Sequence, residues 1–286
     1  MRKRRRSMLF CPGNNEKMLL GAHKKNPDCL IFDLEDAVAP EEKEVARQMV
    51  CRYLLTVDRG NCEVFVRVNT LQTPYGEPDI RALAEAGVKN IRLPMCETAQ
   101  DVKDLSELLD ELECALNLPR NQIRIQCAIE SPKGLLNAFD IASASPRVTA
   151  VSFGAEDFTN CLGVARSKEA YQLCYARSHI AIAANAAGVD AIDTVFTDLN
   201  DMAGLEKEAI EAKHLGFSGK SCIHPKQISV IHRVFTPSDE EAEYARRVLD
   251  CANNARMQGL GVITLDGKMI DKPIIERAEK ILSLCD

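Results

Sequence analysis

The feature that most restricts what this chain can fold into is a rhythm. Over the first 235 positions, short apolar runs bounded by Pro, Gly or Asn alternate with longer amphipathic stretches. Eight runs read as strands: SMLFC (7–11), CLIFDLE (29–35), EVFVRVN (63–69), NIRLP (90–94), IRIQCAIE (123–130), VTAVSFG (148–154), AIDTVF (191–196) and GFSGKSCI (216–223). Between them lie helical patterns. Residues 41–57 carry Val45, Met49, Val50 and Leu54 at helical spacing, and 101–118 repeat Val102, Leu105, Leu108, Leu109 and Leu112. Residues 168–187 and 201–215 follow the same pattern. Parallel strands need crossovers of about this length, usually helical. Eight such units predict an α/β fold, a (β/α)8 TIM barrel. An open doubly wound sheet competes. However, the first turn reads P-G-N-N rather than G-x-G-x-x-G, so no dinucleotide site is indicated, and there is no Walker loop.

Past Val234 the rhythm breaks. Pro237-Ser238-Asp239 has the form of a helix start, with Glu240 and Glu241 in the first turn. Helix is expected to about Met257. Gly259 and Gly261 then punctuate the chain, and a last helix is expected over 274–284. The division predicted is a catalytic barrel over 1–235 and a C-terminal helical extension over 236–286. That extension would pack on the barrel or on a neighbouring subunit.

Composition narrows the function classes. With 286 residues and 46% hydrophobic content, the chain can bury a large core. A net charge of -6, no Trp and 5% aromatics argue against a nucleic-acid partner. Twelve cysteines are scattered without a C-x-x-C pair, and several sit in apolar runs, as free core thiols do. Together with the lack of a secretory pattern this predicts a reduced, cytoplasmic protein. The basic run 2–6 is followed by only four apolar residues before Pro12-Gly13, too few for a signal peptide. It is a solvated arm or a phosphate contact for a coenzyme. No apolar run is long enough for a membrane span.

In a barrel of this kind, chemistry sits at the carboxyl ends of the strands. Those ends carry Asp33-Leu34-Glu35-Asp36, Arg67-Val68-Asn69, Glu130-Ser131, Gly154-Ala155-Glu156-Asp157 and His224. Glu130 and Asp157 end neighbouring strands and could share a hard cation. Magnesium takes one or two protein carboxylates and completes its shell with water and substrate oxygens. The plainer alternative is a salt-bridged Glu130 and a helix-capping Asp157. Arg67, in an otherwise apolar strand, suits bidentate binding of a carboxylate. Equally, it suits a buried ion pair with Asp33 or Glu35, which share one strand face. Lys220 is a Schiff-base candidate or a packing residue, and His224 is a general base or a structural residue. Ligand spacing for zinc and a G-x-S-x-G element are both missing.

The segments RRSMLFCPGN (5–14), FDLEDAV (32–38) with Lys43 and Arg47, VRVN (66–69), IRLP (91–94), AIESPKG (128–134), FGAEDF (153–158), DTVFTD (193–198), GFSGKS (216–221) and GKMIDKP (267–273) occur in order along the chain. In this the chain resembles the citrate lyase β subunit and the wider citrate lyase β-like, HpcH/HpaI aldolase family. The resemblance implies a TIM barrel, commonly trimeric, that uses Mg2+. It implies Glu130 and Asp157 as metal ligands and Arg67 as the clamp on an oxaloacetate carboxylate. Backbone amides at Ala155, Glu156 and Asp157 would also meet the substrate, and Asp271 would be a C-terminal acid reaching a neighbour's site. Met95-Cys96 stand where many relatives carry Lys, and Ile223-His224-Pro225 where I-N-P is common. The activity implied is cleavage of a citryl thioester on an acyl carrier protein, alongside transferase subunits, to oxaloacetate and an acetyl thioester. A stand-alone enzyme for malyl- or methylmalyl-type thioesters of free coenzyme A is the first alternative. A non-catalytic scaffold subunit is the second.

Overall fold

A computed structural model describes residues 4–167, 170–257 and 263–285. It divides into two compact units, Arg5–His232 and a mainly C-terminal unit that joins Arg4 to the chain from Arg233 onward. Eight parallel strands close the first unit into a barrel in sequence order. They are β1 (Ser7–Pro12), β2 (Cys29–Asp33), β3 (Glu63–Arg67), β4 (Asn90–Leu93), β5 (Arg124–Ile129), β6 (Val148–Phe153), β7 (Asp190–Asp193) and β8 (Gly219–Cys222). β8 pairs back onto β1 through Ser7↔Lys220 and Leu9↔Cys222. The TIM-barrel expectation is therefore met. Most strands stop short of the runs read from sequence. Leu34, Asn69, Glu130 and Gly154 lie past the ladder, and of these Glu130 and Gly154 line a cavity.

The connecting helices include Lys43–Thr56, Ala99–Ala115, Cys174–Ala186 and Met202–Leu215. Asp201 caps the last by accepting from the Gly204 N–H at 2.8 Å. Lys168, the expected start of one helix, lies outside the described residues. Sequence periodicity missed Glu16–Ala22 and Gly76–Glu85, one because it is barely two turns and the other because it opens Gly-Glu-Pro.

The barrel lumen is layered. At the amino-terminal end Arg5 donates to Glu63 at 2.8 and 3.1 Å and to Asp190 at 3.3 Å, with its guanidinium 5.2 Å from the Phe65 ring centroid. Arg6 pairs with Asp28 at 2.8 Å. This corrects the sequence expectation for Arg5 and Arg6. They are neither a solvated arm nor a coenzyme contact; Arg5 plugs the barrel, and a buried guanidinium persists there because two carboxylates compensate it. Arg2 and Lys3 lie outside the described residues. Above the plug, Met8, Cys29, Ile31, Phe65, Ala150 and Ile192 form an apolar layer with Phe10 packed on it. The carboxyl-terminal end holds the polar cavity described below. All twelve cysteines are free thiols. Among the described residues, no helix is long and apolar enough to cross a membrane.

The C-terminal unit has its own small core of Ala245, Val248, Ile270 and Ala278. Helix Asp239–Met257 begins with a reciprocal cap: Ser238 Oγ accepts from the Glu241 N–H at 3.0 Å, and Glu241 accepts from the Ser238 N–H at 2.8 Å. Gly259 and Gly261 lie outside the described residues. A hairpin not foreseen, β9 (Ile263–Leu265) and β10 (Lys268–Ile270), turns through Asp266 and Gly267, both at positive φ (50° and 76°). That is what a two-residue hairpin loop requires. The final helix is Lys272–Leu282.

Candidate active site

In-register pairing decides which side chains meet. Asp33 pairs with Arg67, Arg67 with Arg92, and Arg92 with Gln126. Paired residues on parallel strands point to the same face, so Asp33, Arg67, Arg92 and Gln126 form one inward layer. Above it opens a cavity of about 490 Å³, within the range of small-molecule sites. Its walls include Phe10, Asp33, Arg67, Arg92, Glu130 and Asp157.

Arg67 is heavily committed. Nε and a terminal nitrogen grip Asp33 at 2.8 and 2.6 Å, while the other terminal nitrogen meets Glu35 at 2.8 Å and Asp36 at 3.2 Å. The ion pair weighed from sequence thus forms, and Arg67 also lines the cavity. Asp33 is held below the usual carboxylate range despite its burial, because it bonds Arg67 and accepts from the Glu35 and Ala37 amides. Burial pushes Glu35 up to about 7. The loop carrying these acids is fixed from outside. Lys43 donates to the Leu34 and Glu35 carbonyls, both at 2.8 Å, and Asn69 donates to the Leu34 carbonyl at 2.9 Å.

Glu130 is 3% exposed. Its Oε2 accepts from the Met95 N–H at 2.8 Å, and Met95 holds the left-handed region at φ 50° to present that amide. Burial raises the carboxyl, and Asp157 raises it further, against the pull of Arg92 and Arg67. Asp157, half-buried, is raised by burial and by Asp36. Gly154 makes room for this arrangement. A Cβ there would lie 2.4 Å from Glu130 Cγ and 2.7 Å from Oε1.

Two carboxylates lining one cavity, both raised chiefly by burial, are hard oxygen donors, so the donor set fits a divalent ion. Among the described residues no group of three or more His, Cys, Asp or Glu is spaced to hold a metal. The fit is therefore to a hard cation that completes its shell with substrate and water oxygens rather than to a protein cage.

Helix Ala155–Leu162 points its first turn at the cavity. The Ala155 amide is already taken, donating to Thr194 Oγ1 at 3.1 Å. The amides of Glu156 and Asp157 lie in the first turn, which has no preceding helical carbonyl to accept them. The exposed Glu156 carboxylate accepts from Arg166 at 2.8 Å. Arg166 also donates to the Val195 carbonyl and to Glu208.

Other candidates fall elsewhere. Lys220 is fully buried and points outward, between sheet and helices, where Asp193 and Glu208 hold it at 2.7 and 2.6 Å. The packing alternative for Lys220 holds, and a Schiff-base role does not. His224 caps a short turn, its Nδ1 accepting from the Lys226 N–H at 3.1 Å. In the C-terminal unit, exposed Asp271 caps helix Lys272–Leu282 by accepting from the Ile274 N–H at 3.2 Å.

Sequence reasoning passed over Arg92. It is 2% exposed, lines the cavity, and sits 5.1 Å from the Phe10 ring centroid, with Arg67 at 5.4 Å from the same ring. Burial lowers it to about 10, so it stays cationic at neutral pH. The signal was available: NIRL places an Arg within a buried strand, as EVFVR does at its end.

Comparison with known proteins identifies the family. The sequence pattern of the HpcH/HpaI aldolase/citrate lyase family matches residues 6–225. Citrate lyase subunit beta of Haemophilus influenzae is 44% identical over 280 residues, covering 98% of this chain and 96% of the relative. Human mitochondrial citramalyl-CoA lyase is 34% identical over 292 residues, covering 98% and 85%. Protein CitE of Mycobacterium tuberculosis, solved with magnesium, acetoacetate and coenzyme A, superposes with a TM-score of 0.80 at 32% identity, covering 100% and 99%. The citrate lyase beta subunit of the same organism, solved with oxaloacetate and magnesium, gives 0.69 at 31%, covering 81% and 96%. With its barrel, its paired carboxylates and relatives matched over nearly their whole length, this chain belongs to the HpcH/HpaI aldolase/citrate lyase family.

Proposed function

We propose that the protein is a magnesium-dependent carbon–carbon lyase that cleaves a citryl thioester to oxaloacetate and an acetyl thioester. The observation that carries this reading is the pair of raised carboxyls, Glu130 and Asp157, facing one cavity with two arginines. The identity to a citrate lyase subunit beta supports it, as does a relative solved with oxaloacetate and magnesium.

Glu130 and Asp157 would hold the ion. When bound, magnesium supplies Lewis-acid polarisation of the substrate hydroxyl and its neighbouring carboxylate. Arg67 orients the substrate by binding a carboxylate; exposed Asp36, its longest contact at 3.2 Å, is the partner most readily exchanged. The Glu156 and Asp157 amides add donors at the positive end of a helix. Phe10, beneath the Arg67 and Arg92 guanidiniums, excludes water from one wall. Chemically, the hydroxyl proton leaves to a base and the carbon–carbon bond breaks. Its electron pair becomes a thioester enolate, and protonation of that enolate gives the acetyl thioester. We assign the proton return to Asp271, on the separate C-terminal unit, with a homotrimer as the assembly in which a neighbouring subunit supplies it.

The thioester carrier we favour is an acyl carrier protein, with transferase subunits as partners and the cytoplasm as the compartment. A second reading, free coenzyme A with a substrate such as a citramalyl thioester, is supported by the human relative and by the coenzyme A bound to CitE. The test is oxaloacetate release from citryl thioesters of carrier protein and of coenzyme A, with and without magnesium. Magnesium-dependent release from the carrier form supports the first reading. Pyruvate or glyoxylate release from citramalyl- or malyl-coenzyme A alone supports the second. Failure of every thioester to react, with oxaloacetate still bound, supports a scaffold subunit.

A further inference from the structure

Among the described residues, only a few buried side-chain polar atoms have no hydrogen-bond partner, and two of them, Arg92 Nε and Ser221 Oγ, belong to residues that line the active-site cavity. Buried polar groups in folded proteins are nearly always satisfied, so an orphaned pair facing one cavity points to a polar ligand. The contrast with Arg67 sharpens this. Every nitrogen of Arg67 already meets a carboxylate. Arg92, one position round the same inward layer, makes only a 3.3 Å bond to the neutral Gln126 Oε1. Its charge is balanced by no ion pair, yet the residue is 2% exposed.

Glu130 attracts the Arg92 guanidinium without an ion-pair contact, and a buried guanidinium with no anion in contact is costly unless one meets it in the working state. The proposed substrate supplies two carboxylates. One is on the hydroxyl-bearing carbon and would be met by Arg67 and by the ion that Glu130 and Asp157 would hold. The other ends a one-carbon arm and has no partner assigned. A citramalyl thioester carries hydrogen in place of that second carboxylate.

We propose that Arg92, with Ser221 as an accessory donor, binds the distal carboxylate and so selects dicarboxylate over monocarboxylate substrates. This rests on the lyase reading above, and the experiment separates the two. The protein with magnesium is assayed on citryl and citramalyl thioesters, and its binding of oxaloacetate and pyruvate is titrated, for the unmodified chain and for Arg92→Met. Met keeps the stem and removes the charge. The expected result is a loss on the order of 10²-fold in kcat/KM for the citryl thioester, as for a lost charged hydrogen bond. The citramalyl thioester should change less than about tenfold, and the oxaloacetate-over-pyruvate preference should collapse. Ser221→Ala should shift the same ratio in the same direction, by less. An unchanged ratio in Arg92→Met overturns the proposal while leaving the lyase reading in place. An unmodified protein that neither cleaves citryl thioesters nor binds oxaloacetate overturns the lyase reading and, with it, this one. Should Arg92→Met fail to fold, a crystal structure of the unmodified protein with magnesium and oxaloacetate decides. A distal carboxylate about 3 Å from Arg92 Nε supports the assignment, and one bonded elsewhere overturns it.

Discussion

Replacing Gly154 by Ala tests whether the position of Glu130 is set by the main chain beneath it. The backbone there, at φ −107° and ψ 89°, is open to any L-residue, so only packing opposes the change. The added methyl would lie 2.4 Å from Glu130 Cγ, 2.7 Å from Oε1 and 3.0 Å from Cδ. Carbon contacts settle near 3.5–4.0 Å, so the carboxylate must retreat by roughly 1 Å. It has little room, being 3% exposed with Oε2 held by the Met95 amide. Overpacking of this kind costs about 1–3 kcal/mol of stability. A misplacement of about 1 Å costs on the order of 10²-fold in turnover. The variant should remain folded, bind magnesium weakly and turn over on the order of 10²-fold more slowly. Calorimetric magnesium titration, thermal melting and initial rates check this. Gly21→Ala is the internal control. A Cβ there meets nothing within 4 Å, so it should stabilise by about 0.5–1 kcal/mol and leave rates alone. If Gly154→Ala matched the parent in both magnesium affinity and turnover, the steric coupling to Glu130 would be wrong.

Three further outcomes are expected. Lys220→Met leaves buried Asp193 and Glu208 with less compensation, so the melt should report a loss of about 3 kcal/mol or more; borohydride trapping of substrate on the unmodified enzyme should label nothing at Lys220, and an adduct there would restore the imine. Glu35 has a carboxyl raised to about 7 in the folded protein, so its contribution to stability is present below the unfolded value and fades as pH rises through 7. In metal-free protein the parent should therefore lose roughly 3 kcal/mol more than Glu35→Gln between pH 4.5 and 8; equal losses would contradict the burial argument. Asp271→Asn keeps a good helix cap, so stability should hold within about 0.5 kcal/mol while turnover falls; full activity would remove Asp271 from proton transfer.

The order of elements was legible because it is local. Apolar runs of strand length separated by helix-length amphipathic stretches leave parallel crossovers as the workable arrangement, and eight of them close a ring. The carboxylates we propose as ion ligands were also legible. Glu130 and Asp157 stand at the ends of buried runs, where an acid needs a reason to be. The Asp266-Gly267 hairpin was readable too, since Asp-Gly favours the two positive φ values such a turn needs; it was missed because the flanking strands have only three residues each.

By itself, the sequence determined the barrel, and it placed at the carboxyl ends of the strands the two acids we propose as ligands of a hard cation. The tertiary structure alone decided which charges compensate one another. Lys220 and Ser221 are adjacent in sequence, yet one is sealed between sheet and helices and the other faces the cavity, because strand residues alternate between faces and barrel closure fixes which face is inside. Arg67 and Arg92 look alike in their strands. One meets three carboxylates and the other none, since the end of β2 with Asp33 and the following loop with Glu35 and Asp36 lie beside β3 and not beside β4. Such pairing depends on neighbours across the ring, which no local pattern encodes.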